Sequence, residues 1–235
     1  MRVWVPFFKT VHTIPWYFYV PIATAILWLA MNATNCSDGV DGLAGSLTLL
    51  TLFTLAFFLY VAVGHESIAK YLCVPHNPEG ARWAILTVTF AGAVAGYLWH
   101  NAESSAVLMG DAGSRFLGLL VGVAALACGN PFVLFIVAPV VLINGGLGLL
   151  KIMLLKILKR MGYDISLPDK NLPGQKRCGL VRFLHRYKFP LHDHFRAERR
   201  NKSKPRWSNA QILMRFVLIQ AFIVPILLVL LLKIR

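Results

Sequence analysis

The sequence predicts an all-α polytopic membrane protein, and three observations carry that reading. Six apolar stretches, at about 16–33, 44–63, 83–100, 115–128, 132–155 and 212–232, mostly approach the ~20 residues a helix needs to cross the hydrocarbon core. Hydrophobic residues make up 57% of the 235-residue chain against 14% charged, with a mean hydropathy of +0.62. That leaves too little charge to cover a soluble domain of this size. The basic residues are also unevenly placed, since 16 of the 24 lysines and arginines fall between Lys151 and Arg206. Such clustering marks a cytoplasmic loop of a membrane protein rather than a nucleic-acid surface. The whole chain, 1–235, reads as one integral membrane domain with the basic loop 156–210 inside it.

Residues 1–15 are short, mixed and aromatic (Trp4, Phe7, Phe8), an interfacial lead-in to the first membrane helix. Lys9 and Pro15 precede that helix without a small-residue cleavage site, which argues against a signal peptide. The fourth apolar run is short, and Gly129-Asn130-Pro131 separates it from the fifth as a tight turn. In the basic loop, Gly179 to Phe189 carries Leu180, Phe183, Leu184 and Tyr187 at helical spacing, with Arg182, Arg186 and Lys188 between them. This is the pattern of an amphipathic helix lying on a membrane surface. The cysteines Cys36, Cys73, Cys128 and Cys178 form no Cys-x-x-Cys pair and so give no metal or redox framework.

Parity then orients the loops. With the basic segment placed in the cytoplasm, counting back one crossing at a time puts residues 101–114 inside, 64–82 outside and 34–43 inside. Three polar loops therefore share one face. The first is Asn32 to Gly45, NATNCSDGVDGLAG, where Asp38 and Asp41 stand three apart between two apolar runs with no basic neighbour. Carboxylates at a membrane edge are costly unless water, a cation or a polar ligand meets them. An Asx-turn with helix caps would also account for this loop. The second loop holds Met109-Gly110-Asp111-Ala112-Gly113-Ser114, in which Asp111 stands just before a helix expected to start near Arg115. Capping by Asp111 and Ser114 explains that loop alone, but not three carboxylates gathered on one rim. The third holds Pro190-Leu-His-Asp-His-Phe195, where His192 and His194 could bind a metal, shuttle protons or hold a phosphate; taken alone, such a pair on a basic loop is more often a solvated surface feature. His100, at a helix end, reads as structural. Acids, glycine-rich turns, imidazoles and many cations on one face suit a phosphorylated substrate with a hard cation such as Mg²⁺.

These stretches resemble a known family. Asn32-Ala-Thr-Asn-Cys-Ser-Asp-Gly-Val-Asp-Gly-Leu-Ala44 is similar to the NAxNLTDGLDGLA signature of the phospho-N-acetylmuramoyl-pentapeptide transferases, a family of polyprenyl-phosphate HexNAc-1-phosphate transferases. Met109 to Ser114 resembles their MGDxGS signature, and Pro190 to Phe195 their PIHHHF stretch. The resemblance implies transfer of phospho-N-acetylmuramoyl-pentapeptide from UDP to undecaprenyl phosphate in the bacterial inner membrane, giving lipid I and UMP with Mg²⁺. It implies Asp111 as the Mg²⁺ ligand and Asp38, Asp111, His192 and His194 as the catalytic set. Asn32, Asn35, Gly39, Val40, Asp41 and Asn101 would bind the UDP-linked substrate. Three departures accompany it. Asp193 replaces the family's middle histidine, and Leu108 replaces the aromatic that stacks on uracil. The family's adjacent aspartate pair and lysine, from a more N-terminal portion, have no counterpart here. Either the sequence is a fragment, or a homodimer or a partner supplies that portion, and the chain alone is expected to be inactive. Another HexNAc-1-phosphate transferase, a membrane transporter and an inactive homologue are the competing readings.

Overall fold

The computed structural model describes residues 2–4, 11–72, 74–101, 105–163, 181, 184, 188–196, 198–199, 202–205 and 207–233. After a two-stranded antiparallel ribbon, β1 (Arg2–Trp4) against β2 (Val11–Thr13), the chain enters α1 (Trp16–Ser37). Next come α2 (Leu43–Phe57), which runs on through a π-helical turn at Phe58–Val63, the short α3 (Glu66–Leu72), α4 (Gly80–His100) and α5 (Gly110–Ala127). A short α6 (Val133–Val137) precedes α7 (Pro139–Val141), a second π-turn (Leu142–Gly146) and α8 (Leu147–Arg160). Beyond the basic loop lie α9 (Leu191–Arg196), the ribbon of β3 (Glu198–Arg199) and β4 (Lys202–Pro205), and α10 (Asn209–Lys233).

Among the described residues six segments are long and apolar enough to cross a membrane: Trp16–Ser37, Leu43–Val63, Gly80–His100, Gly110–Ala127, Pro139–Arg160 and Asn209–Val229. The protein is a multi-pass helical membrane protein, as its composition predicts. Phe57, Tyr60, Ile85, Phe116, Phe222 and Ile226 stand exposed on the flanks, as lipid contact requires.

Two boundaries differ from the sequence expectation. The fifth apolar run, 132–155, is not one helix. It breaks at Ala138 (φ −125°, ψ 39°), because Pro139 has no N–H to continue the ladder; the crossing segment starts at Pro139 and runs to Arg160. The groups freed by the break are met by Gln220 of α10, which is 1% exposed. Its Nε2 donates to Val137 O and Thr51 Oγ1, both at 3.0 Å, while its Oε1 accepts from Val140 N–H at 3.1 Å. The other difference is at α5, which begins at Gly110 rather than near Arg115, so Asp111 lies within its first turn. The Gly129-Asn130-Pro131 turn is as expected, with Gly129 at φ 76°. The amphipathic stretch Gly179–Phe189 lies mostly outside the described residues; Val181 and Leu184 are buried against Leu158 of α8.

The α1 helix is the post on which the others lean. A Cβ at Gly118 of α5 would come within 2.5 Å of Ala30 O and 2.6 Å of Met31 Cα. One at Gly145, in the second π-turn, would overlap Ala33 O. Glycine at both crossings lets backbone touch backbone, the usual way membrane helices gain dispersion contact. Ser37 Oγ reaches across the same seam to Val141 O at 3.4 Å.

Replacing Gln220 by Leu leaves Val140 N–H and Val137 O without this partner inside the bundle. The variant is expected to lose about 1–2 kcal/mol of stability, measured as a lower unfolding midpoint in detergent; an unchanged midpoint would show that the break is satisfied otherwise.

Candidate active site

The polar residues named from the sequence gather at one end of the bundle. Asp38 caps the C-terminus of α1, its N–H donating to Asn35 O at 3.2 Å. The loop turns through Gly42, whose φ of 74° places it in the left-handed region that glycine tolerates, and α2 begins. Neither α2 nor α5 has a side-chain cap at its start, so Asp41 and Asp111 are not serving as helix caps. The same holds for Ser114. It lies buried inside α5 and donates to Asn35 Oδ1 at 2.7 Å, tying α5 to the end of α1.

Asp41 and Asp111 are both near enough to act on Asp38. Burial, then Asp111, then Asp41, push Asp38 up to about 6. A carboxylate raised this way gains a proton in the range where an isolated one is ionised. Asp111 itself is exposed. Among the described residues no three metal-ligating side chains converge into a cage. Two or three mutually repelling carboxylates at a rim suit a cation that takes one or two of them and completes its shell with water and ligand phosphates, the habit of Mg²⁺.

The third motif meets this rim directly. His192 on α9 is 2% exposed, so it is not a solvated surface histidine. A Cβ added to Gly39 would overlap its imidazole at Nε2, so only glycine lets the loop backbone lie on the ring. Arg196 of the same helix donates to Gly39 O at 3.4 Å. The imidazole pKa is lowered, chiefly by burial and also by Arg196, with Asp193 opposing. A ring-stacked clamp holds α9 in place. Phe195 stacks on Trp207 at 4.0 Å and 5°, and the Arg215 guanidinium lies 4.3 Å over the Trp207 ring. His194 is half-buried, edge-on to Phe195 at 5.8 Å. Beside Asp193 opens a cleft of about 430 Å³ lined by Lys151, Lys188, Phe189, Asp193 and Arg196.

Other expected ligands have structural duties. Asn101 is 4% exposed; its Oδ1 accepts from Gly42 N–H at 2.8 Å and its Nδ2 donates to Val107 O at 2.6 Å, pinning the two loops together. The Val40 side chain belongs to the core. Asn32 Nδ2 donates one turn back, to Trp28 O at 2.8 Å. Leu108 is 75% exposed beside the start of α5. The residue the sequence reading passed over is Asn144. Its Oδ1 accepts from His192 N–H at 3.0 Å and lies 3.2 Å from His192 Nδ1. The signal was available: an Asn-Gly-Gly triplet within an apolar membrane run.

Fold and rim together define the class: a multi-pass helical membrane protein with carboxylates, a buried imidazole and a cationic cleft at one end of its bundle. Comparison with known proteins supplies the family. The family model described as glycosyl transferase family 4 matches residues 2–129, and the chain belongs to that family. A phospho-N-acetylmuramoyl-pentapeptide-transferase of Treponema pallidum (strain Nichols) is 42% identical over 233 residues, covering 99% of this chain and 56% of the relative. A protein of the same description from Nitratidesulfovibrio vulgaris (strain DP4) is 32% identical over 199 residues, covering 85% of this chain and 49% of the relative. One from Pelobacter propionicus is 34% identical over 143 residues, 61% and 40% respectively. The chain thus spans about half the length of the curated relatives it matches.

Because the folded pKa of Asp38 lies above its unfolded value, its contribution to stability falls as pH rises from about 4 through about 6. Asp38→Asn is therefore expected to raise the melting temperature by about 2–4 °C near pH 8 and to leave it unchanged near pH 4, allowing for partial solvent screening. A variant less stable at the higher pH would refute the repulsion. Gly39→Ala should displace His192 and lower the midpoint, since a methyl group overlaps the ring; an unchanged midpoint and unchanged His192 resonances would contradict the contact.

Proposed function

We propose that this chain serves transfer of phospho-N-acetylmuramoyl-pentapeptide from UDP to undecaprenyl phosphate, forming lipid I and releasing UMP in peptidoglycan synthesis. The observation that carries the reading is the meeting of Asp38, Asp111 and His192, far apart in sequence, at one end of a membrane bundle. The description of the relatives as phospho-N-acetylmuramoyl-pentapeptide-transferases supports the choice of transferred group. The positive-inside bias supports a cytoplasmic position for this end, and the bacterial origin of the relatives supports the inner membrane.

In this reading Asp111 holds Mg²⁺, with Asp38 or Asp41 at hand as a second carboxylate. When bound, the ion neutralises pyrophosphate charge and stabilises the departing phosphate. Asp38, raised to about 6, is poised to take the proton of a lipid phosphate monoester. The freed phosphate oxygen bonds to the sugar-linked phosphorus of the UDP carrier, the bond between the two phosphates breaks, and UMP leaves. The cleft cations Lys151, Lys188 and Arg196 offer donors and positive charge to the phosphates. Leu108 and Asp193 differ from the family signatures, so the competing donor is another UDP-HexNAc.

In membranes whose transfer activity depends on this chain, Asp111→Asn and Asp38→Asn should each lower transfer about 100-fold or more, some 2.7 kcal/mol of barrier. Radiolabelled lipid product formed at wild-type rate by either variant removes the assignment. Preference for UDP-N-acetylglucosamine over the muramoyl-pentapeptide donor would move the chain to the competing donor class.

A further inference from the structure

A neutral imidazole has one donor and one acceptor nitrogen, and its partner decides which is which. At His192 that partner is Asn144, which is 0% exposed in the π-turn Leu142–Gly146 of the fifth membrane segment. The amide orientation is fixed by the backbone. His192 N–H, 3.0 Å away, can only donate, so the atom facing it is the Asn144 oxygen. The same oxygen lies 3.2 Å from His192 Nδ1. An amide oxygen cannot donate, so a hydrogen bond across this gap requires the proton on Nδ1. Nε2 is then left as the ring's lone pair, turned toward the Gly39 loop and 3.5 Å from Asp193 Oδ1.

We propose that Asn144 is a positioning residue of the site, locking His192 in the Nδ1–H tautomer so that Nε2 presents a proton acceptor to the Asp38–Asp41 loop. Two features show that the arrangement is specific. Asn144 Nδ2 is buried and has no partner among the described residues, a costly state that packing alone would have avoided with an apolar residue. The π-turn, a feature common at functional sites, adds the extra residue that brings Asn144 to this register. Gly145 beside it allows the turn to lie on the backbone of α1. A proton taken up at Nε2 makes an imidazolium, which the Asp193 carboxylate, 3.5 Å away, stabilises. Any part this acceptor plays in turnover rests on the transferase reading; the tautomer does not.

The test uses the full chain, ¹⁵N,¹³C-labelled at histidine, in lipid nanodiscs without substrate at neutral pH, with His192→Gln identifying the His192 signals among the seven histidines. The wild-type ring is expected as the Nδ1–H tautomer, the minor form of free histidine. Asn144→Asp, which keeps an acceptor at Nδ1, should retain it, and Asn144→Leu should revert it to Nε2–H. An Nε2–H or doubly protonated wild-type ring overturns the proposal even if Asn144→Leu does not fold. So does an Nδ1–H ring that persists in a folded Asn144→Leu. Since no turnover is read, failure here is distinct from failure of the transfer assay.

Discussion

The site depends on how closely α1 is approached by its neighbours. Glycines at 118 and 145 remove the side chains that would hold α5 and the second π-turn away, and peptide planes meet instead. In a bilayer, where lipid tails are as apolar as leucine, such contact is a main source of helix association. Its consequence is positional. The end of α1 that carries Asn35 and Asp38 is held beside Ser114 on one flank and the Asn144 turn on the other.

From that geometry the electrostatics follow. Asp111 and Asp41, brought beside the half-buried Asp38 at the rim, help to raise it, which is unfavourable for the protein alone and favourable toward a bound cation or proton. The imidazole set against them is buried and biased to neutrality, so it adds hydrogen-bonding capacity without cancelling the acids. Positive charge is held a step away, in the cleft of Lys151, Lys188 and Arg196. Separated charges of this kind suit a ligand that is itself polyanionic and needs both a cation and a basic wall.

Much of this could be read in the chain. Six apolar runs near membrane-spanning length, and the clustering of lysine and arginine, require a bundle with its polar loops on one face whatever the packing. The motifs around Asp38, Asp111 and His192 mark the rim because caps or a solvated surface explain each loop alone but not their gathering on one face. The break at Ala138–Pro139 was less legible, because hydropathy does not distinguish a continuous helix from one interrupted by proline and repaired by Gln220.

What the sequence by itself determined, then, was the class, the number of crossings and which residue types face the polar edge, all of them matters of local composition and period. Which of those residues point inward was decided only by the tertiary structure. Asn101 and Asn35, read as ligands in the chain, also tie loops and helices, while Asn144 looks like an accident in an apolar run and proves to hold His192. The reason is physical: a hydrogen bond between residues 48 apart, or a ring resting on a glycine 153 positions away, exists only after the helices have packed, and no local pattern encodes it.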